Sequence, residues 1–413
     1  MSRASTSSLD LRFVFWLSWV QLISWGSVFY GFSLFMAPLE QELGMSRAQS
    51  SLGFSLALLA EGLLAFWVGR RIDQGHERSL MTGGSLLIGL SFIAHSFVTD
   101  TTGFYLAWLG LGVGLSATLY PPAFAVLTRR FPNDFRRAII LLTFLGGLAS
   151  TVFIPLIAWL MAVTDWRTTM CLLGGLHLLV CAPLHAWLLK PMATQHNIIH
   201  TSPHVAREAT SIRTHIQHPN YWALSLFVIV LMTVTTALPA HMVSLLREAG
   251  MTPQWVLVIP ASIGVLQVMG RVGLFTLERQ LNVHQTNRWV PCLIPLGMLA
   301  LWLGASSPIS ALVFVVLYGL GNGMLTIVKG TVMAQYINQE HVGSLNGLLG
   351  IPMAFARACA PWLMGLLWSE THGYSQGIAV MIGLSLVGIG ALWWAQNNAL
   401  QSVNEKASYE KAN

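Results

Sequence analysis

The feature that most limits what this chain can fold into is a succession of apolar runs, each parted from the next by a short polar loop. Runs near 13–37, 48–68, 79–98, 102–127, 138–162, 166–189, 221–245, 255–277, 289–306, 309–334, 344–367 and 374–395 each approach the ~20 residues that a helix needs to cross ~30 Å of hydrocarbon. Composition agrees: 54% of the 413 residues are hydrophobic, 9% are charged, and mean hydropathy is +0.62. A soluble domain carries charge at about a quarter of its positions. The expected fold is therefore an all-α polytopic membrane protein with twelve transmembrane helices and no long soluble domain. The longest polar interruption, Lys190 to Asn220, follows six runs and precedes six more. It divides the chain into an N-terminal six-helix half (1–190), a linker (191–220) and a C-terminal six-helix half with a short tail (221–413).

Lys and Arg placement sets an expected orientation. Sixteen of the 22 fall on the side of the N-terminus, three (Arg47, Arg167 and Arg247) on the other, and three inside apolar runs. The positive-inside rule then puts both termini and the linker in the cytoplasm. The same division of basic residues among short loops disfavours a nucleic-acid partner. The first apolar segment, about 25 residues long, reads as a retained helix and not as a signal peptide. All four cysteines lie in apolar runs, which suits packing better than a disulfide framework. The linker histidines His196, His200, His204, His215 and His218 have no rigid ligand spacing, so no metal site is expected there.

Four charged side chains sit inside apolar runs: Glu61, Arg271, Lys329 and Arg357. A charge at the centre of a spanning helix costs roughly 2.5–3.5 kcal/mol on insertion scales, so such groups are default functional candidates. Arg271 lies about 9 Å from the expected end of its run at ~1.5 Å per residue. It can snorkel from there, or its planar fork can hold a carboxylate. Lys329 offers a compact cation and is also near enough to an end to snorkel. Asn322 shares its helical face and is the better-placed polar partner. Glu61 is the one acidic residue expected deep in the membrane, hence a candidate proton carrier. Of the histidines His95, His177, His185 and His241, each is expected to be a packing residue before a proton shuttle. Of the aromatics, Trp25, Tyr30 and Tyr120 are at plausible depth to shape the apolar side of a pocket.

The loop Gly69-x-x-x-Asp73-x-Gly75, flanked by Arg70, Arg71 and Arg78, resembles the signature loop between helices 2 and 3 of the major facilitator superfamily. Its glycines permit a tight reversal, and Asp73 can accept from helix N-termini or arginines and so latch one side of the bundle. The likeness spans nearly the whole chain. It implies that helices 1, 4, 7 and 10 line a central cavity, which favours a cavity position for Lys329, Tyr30, Tyr120 and His241. It also implies that helices 2 and 11 lie side by side, so that Glu61 and Arg357 can pair as a gate. The depths, ~10 Å for Glu61 and ~20 Å for Arg357 by helical rise, leave a gap that long side chains would have to bridge, directly or through water.

Within that superfamily the chain resembles the bacterial monocarboxylate-porter-like branch. The resemblance is carried by Ala37-Pro38-Leu39-Glu40 through Gly44-Met45-Ser46-Arg47, by Leu119-Tyr120-Pro121, by Arg129-Arg130-Phe131 and by Asp165-Trp166-Arg167. Gln267-x-x-Gly270-Arg271 resembles that branch's acid-x-x-x-arginine pair, whose arginine binds the substrate carboxylate; here Gln267 stands in place of the acid. No lysine matches the helix 1 lysine of some members, since the region reads Phe29-Tyr30-Gly31. The resemblance implies a monomeric secondary transporter of a bacterial inner membrane, embedded in lipid and without cofactor or enzymatic activity. Its expected partners are a small organic anion, such as a monocarboxylate, and protons, with import by symport. No nucleotide-binding Gly-x4-Gly-Lys-Ser/Thr loop is present to supply another energy source. The alternative reading is an efflux permease for drugs or metalloid compounds.

Overall fold

The computed structural model of the chain describes residues 9–190, 217–277, 280–304, 306–337, 345 and 347–412. These form twelve helical spans in order: α1 (Leu11–Leu43), α2 (Arg47–Asp73), α3 (Glu77–Ser96), α4 (Thr101–Arg130), α5 (Arg137–Val163), α6 (Trp166–Leu188), α7 (Pro219–Glu248), α8 (Pro253–Leu277), α9 (283–303), α10 (Pro308–Tyr336), α11 (Gly350–Leu366) and α12 (Ser375–Gln401). Among the described residues, ten of the twelve are long and apolar enough to cross a membrane. α9 is built of two short helices joined by a single 3-10 turn at Val290–Cys292, and α11 has only 17 residues. Most of the expected linker, residues 191–216, lies outside the described residues, as do His196, His200, His204 and His215.

Helix ends fall beyond the ends of the apolar runs, because polar capping continues the helix past the hydrocarbon. The Asp10 carboxylate accepts from the Arg12 and Phe13 N–H groups and starts α1. Gly44, at φ 63°, ends it in the left-handed region that favours glycine. Ser46 and Gln49 form a reciprocal capping box that starts α2. α2 then runs through Arg70 and Arg71 to Asp73, five residues past its apolar run.

Four spans are irregular where they approach the centre of the bundle. In α1, Trp25–Tyr30 form a π turn, with the Gly31 N–H donating to the Gly26 carbonyl. A second π turn, His177–Cys181 in α6, packs beside it, and Ser27 and His177 share a 2.9 Å hydrogen bond. α4 breaks between Ser116 and Tyr120, because Pro121 and Pro122 lack the N–H groups that would continue the ladder. Gln21 of α1 donates to the Thr118 carbonyl at that break, 2.5 Å away, so a neighbouring helix satisfies it. α5 is interrupted at Leu148, between helices Phe135–Gly147 and Ala149–Val163.

Small residues set the closest helix approaches, as expected where apolar lipid supplies no drive between helices. A Cβ on Gly323 of α10 would strike the Gln267 carbonyl of α8, and one on Gly62 of α2 would strike Ala354 of α11. A Cβ on Gly264 of α8 would collide with Thr151 and Ser150 of α5. Thr151 also donates to the Ala261 carbonyl at 2.6 Å. The first six spans and the last six thus meet along two seams, α2 with α11 and α5 with α8, on either side of a central space.

Candidate functional site

Midway along the bundle lies a cavity of about 330 Å³, walled by α1, α2, α4 and α5 on one side and by α7, α8, α10 and α11 on the other. Nine residues singled out from the sequence line it: Trp25, Tyr30, Glu61, Tyr120, Gln267, Arg271, Asn322, Lys329 and Arg357. Several are placed by a local irregularity or a glycine contact. The π turn carries Trp25, Phe29 and Tyr30 to the wall, and the α4 break presents Tyr120 at the first position of a new helix. A Cβ on Gly146 would lie 2.6 Å from the Tyr120 hydroxyl, and one on Gly147 would lie 3.4 Å from Arg271 Nη1. The bare α5 backbone at these two glycines is therefore what leaves room for both groups.

Arg271 reaches inward and does not snorkel: Nη1 donates to the Thr143 carbonyl of α5 at 3.0 Å, and buried Nε has no hydrogen-bond partner. Gln267, one turn earlier, donates to the Gly147 carbonyl at 2.5 Å and accepts from Asn322 at 3.3 Å. The amide that stands where an acid was expected thus bridges α5, α8 and α10 without adding negative charge near Arg271. Lys329 directs Nζ to the Met232 sulfur at 3.2 Å, a weak acceptor that leaves the ammonium charge uncompensated.

Glu61 and Arg357 are 3.3 Å apart, so the depth difference expected from the apolar runs does not hold. The reason is the close approach of the two helices at Gly62 and Ala354, which sets the neighbouring Glu61 and Arg357 side by side whatever the ends of their apolar runs. The Glu61 side chain is 4% exposed, yet its Oε2 and the Nε of Arg357 make no hydrogen bond. Buried charge in that state is held at high cost. The cavity consequently presents three cations to one carboxylate, a formal excess of two positive charges.

The opposite wall is aromatic. The Trp25 and Tyr120 rings have centroids 5.0 Å apart, and Tyr120 stacks on Phe124 at 5.3 Å with planes 10° apart. A small side pocket of about 70 Å³, walled by Phe227, Leu231 and Leu325, shares Asn322 and Lys329 with the main cavity.

His241 does not line the cavity. It bonds to the Pro361 carbonyl at 2.8 Å and to the Tyr374 hydroxyl at 3.1 Å, nearer one end of the bundle. His177 and His185 bond to Ser27 and Ser85, and His95 faces Met170, all buried within the first six spans.

At the end of the bundle that carries the Gly69–Arg78 loop, Gly75 takes the left-handed φ of 89° that its residue type permits. Arg70, Asp73 and Arg78 are exposed, and Gly69 has open space around it. The acid that pairs there is Glu77, 3.0 Å from Arg129, which also donates to the Ile72 carbonyl. Among the described residues no ion pair joins the first and last six spans at this end.

The opposite end holds a cluster that sequence reasoning missed. Arg47 donates to both oxygens of Glu40 at 2.8 and 3.0 Å, to Glu248 at 2.7 Å and to the Tyr374 hydroxyl, and it lies 4.8 Å over the Trp368 ring. Trp368 in turn donates to Glu248 at 2.8 Å. Glu40 and Arg47 come from the first six spans, and Glu248, Trp368 and Tyr374 from the last six. Burial pushes the Tyr374 hydroxyl above its ordinary pKa, so it stays a neutral donor toward His241. The one sequence signal was the run from Ala37 to Arg47, quoted for resemblance alone.

Comparison with known proteins agrees with this architecture. Residues 14–294 match the Major Facilitator Superfamily. Solved structures with a similar fold include a bacterial homolog of the human lysosomal transporter Spinster, in an inward-facing and unoccupied conformation, with 14% identity, a TM-score of 0.75, and coverage of 97% of this chain and 99% of that one. The nucleoside transporter NupG is similar at 13% identity and a TM-score of 0.70, with coverage of 93% and 98%. No curated protein matches the chain significantly.

Proposed function

We propose, from the premise that this chain belongs to the major facilitator superfamily, that it is a secondary transporter carrying a small organic anion by alternating access. The observation that carries this reading is the uncompensated charge of the central cavity. Arg271, Lys329 and Arg357 face it, with Glu61 as the one acidic lining residue among those described. An anionic passenger restores the balance, and a carboxylate suits the two-pronged donor of Arg271. Gln267 and Asn322 set the position of that wall, and Tyr30 and Tyr120 offer hydroxyls across from it.

Proton coupling belongs to Glu61 on this reading. A proton on its carboxylate would cancel the attraction to Arg357 and loosen the α2–α11 seam, which merges the carrier and gate roles into one event. The Arg47 cluster holds one end shut while, among the described residues, the loop end has no ion pair across it. On this reading the loop end is cytoplasmic, as the Lys and Arg distribution supports, the membrane is a bacterial inner membrane, and the state is inward-open. The chain acts as a monomer of two six-helix units, 1–190 and 221–413. Among the described residues no cysteine lines the cavity, so nothing there favours a soft metalloid cargo.

The test is a thermal-shift screen of purified protein against carboxylates, phosphonates and arsenicals, repeated with Arg271→Ala. An anion that stabilises the parent by several degrees and leaves the variant unmoved supports the reading. Equal stabilisation of both proteins removes Arg271 from the binding site.

A further inference from the structure

The cavity draws two chemistries from different helices, meeting where the Tyr30 and Tyr120 hydroxyls reach Gln267 and Arg271, and the pairing says more about the passenger than its charge does. Cations come from α8, α10 and α11, while Trp25, Phe29 and Tyr30 of α1 and Tyr120 and Phe124 of α4 form the facing wall. Four of these five rings are half-buried, with Phe29 buried behind them. They contact one another at centroid separations of 5.0 to 5.3 Å. None of them carries a cation over its face: the cation–ring contacts of the described residues belong to Arg47, Arg71, Arg130, Arg167 and Arg288. Arg271 meets Tyr120 at its hydroxyl, and none of Arg271, Lys329 and Arg357 lies over a ring face even though they share the same enclosed space.

We infer, resting on the anion-transport reading above, that the passenger is an aromatic carboxylate, its ring laid against the α1–α4 wall and its carboxylate turned to Arg271 and Lys329. A short aliphatic acid would answer the cations but leave the ring wall against water. A neutral aromatic would cover the rings but bring no countercharge to the cations. A one- or two-ring aromatic acid meets both walls at once. Aromatic rings pair in offset or edge arrangements at centroid distances of roughly 4.5–7 Å, which this wall already adopts internally and can extend to one more ring. The volume agrees: about 330 Å³ is at the lower edge of the roughly 300–1,000 Å³ typical of small-molecule pockets, and a three-carbon acid would fill only part of it.

The experiment measures binding of four probes, benzoate, 1-naphthoate, propionate and benzamide, to the purified full-length protein at neutral pH by calorimetry and thermal shift. Benzoate and naphthoate are expected to bind at least tenfold tighter than propionate or benzamide. Trp25→Leu, which removes the ring but keeps an apolar side chain, is expected to weaken benzoate about tenfold and propionate less than twofold. Where that variant does not fold, Tyr120→Leu carries the same test, and the probe ratio on the unaltered protein decides by itself. Propionate binding as tightly as benzoate, with both lost in Arg271→Ala, overturns the aromatic inference and leaves the anion reading standing. Benzamide matching benzoate, or binding untouched by Arg271→Ala, overturns both.

Discussion

Replacing Arg47 with alanine tests the closing role of the cluster at the end opposite the signature loop. In the parent, Arg47 makes charge-assisted bonds across the seam to Glu248 and to Tyr374 and sits over Trp368. Hydrogen bonds to charged groups contribute about 1.5–3 kcal/mol each. Glu248 is 31% exposed, so solvent screening puts its share at the low end. Adding the tyrosine bond and the ring contact gives a loss of about 3 kcal/mol of closed-end preference, roughly a hundredfold shift in population toward opening. Arg47→Lys keeps the charge but loses the fork, so it should shift the balance by about tenfold. The assay uses a cysteine-free background with Thr235→Cys, a cavity position. Labelling by a membrane-impermeant thiol reagent is then timed from the face that carries Arg47. Labelling should accelerate from parent to Arg47→Lys to Arg47→Ala. Identical rates in all three would show that the cluster is surface decoration and that packing alone shuts this end.

Three further substitutions have expected outcomes. Gly323→Ala should lower the thermal midpoint by several degrees, consistent with roughly 1–3 kcal/mol of overpacking against the Gln267 backbone. Gly330→Ala, with open space around it, should leave the midpoint unchanged in the same scanning measurement. Glu61→Gln should retain exchange of labelled substrate across proteoliposomes but lose accumulation driven by a pH gradient; accumulation at the parent's level would remove Glu61 from proton coupling.

Much of the fold was readable because spanning helices announce themselves by length and hydropathy, and ten of the twelve satisfy both measures among the described residues. The boundaries were less readable. Asp10, Ser46 and Gln49 extend helices through capping contacts that an apolar window does not register. The intramembrane charges were conspicuous one by one, and their convergence on a single cavity followed from the family resemblance more than from periodicity. Depth counted along apolar runs misplaced Glu61 against Arg357. The Arg47 cluster stayed hidden because its partners lie 201 and 327 positions away in sequence, inside short polar segments that read as ordinary loops. His241 was assigned to the wall of the cavity from its helix alone, whereas Pro361 and Tyr374 hold it elsewhere.

The π turn at Trp25–Tyr30 joins two distant parts of the protein through the backbone itself. It stores one surplus residue between the stretch that supports Trp25 and the stretch that ends in Glu40. Were that residue released into regular winding, the Phe32–Leu43 segment would swivel by about 100°, the angular step of a single residue at 3.6 per turn. Glu40 would be carried off its grip on Arg47. A ligand wedged against the Trp25 ring could therefore unlatch the far end of the bundle by screw motion of one helix, with no chain of side chains needed to relay the message.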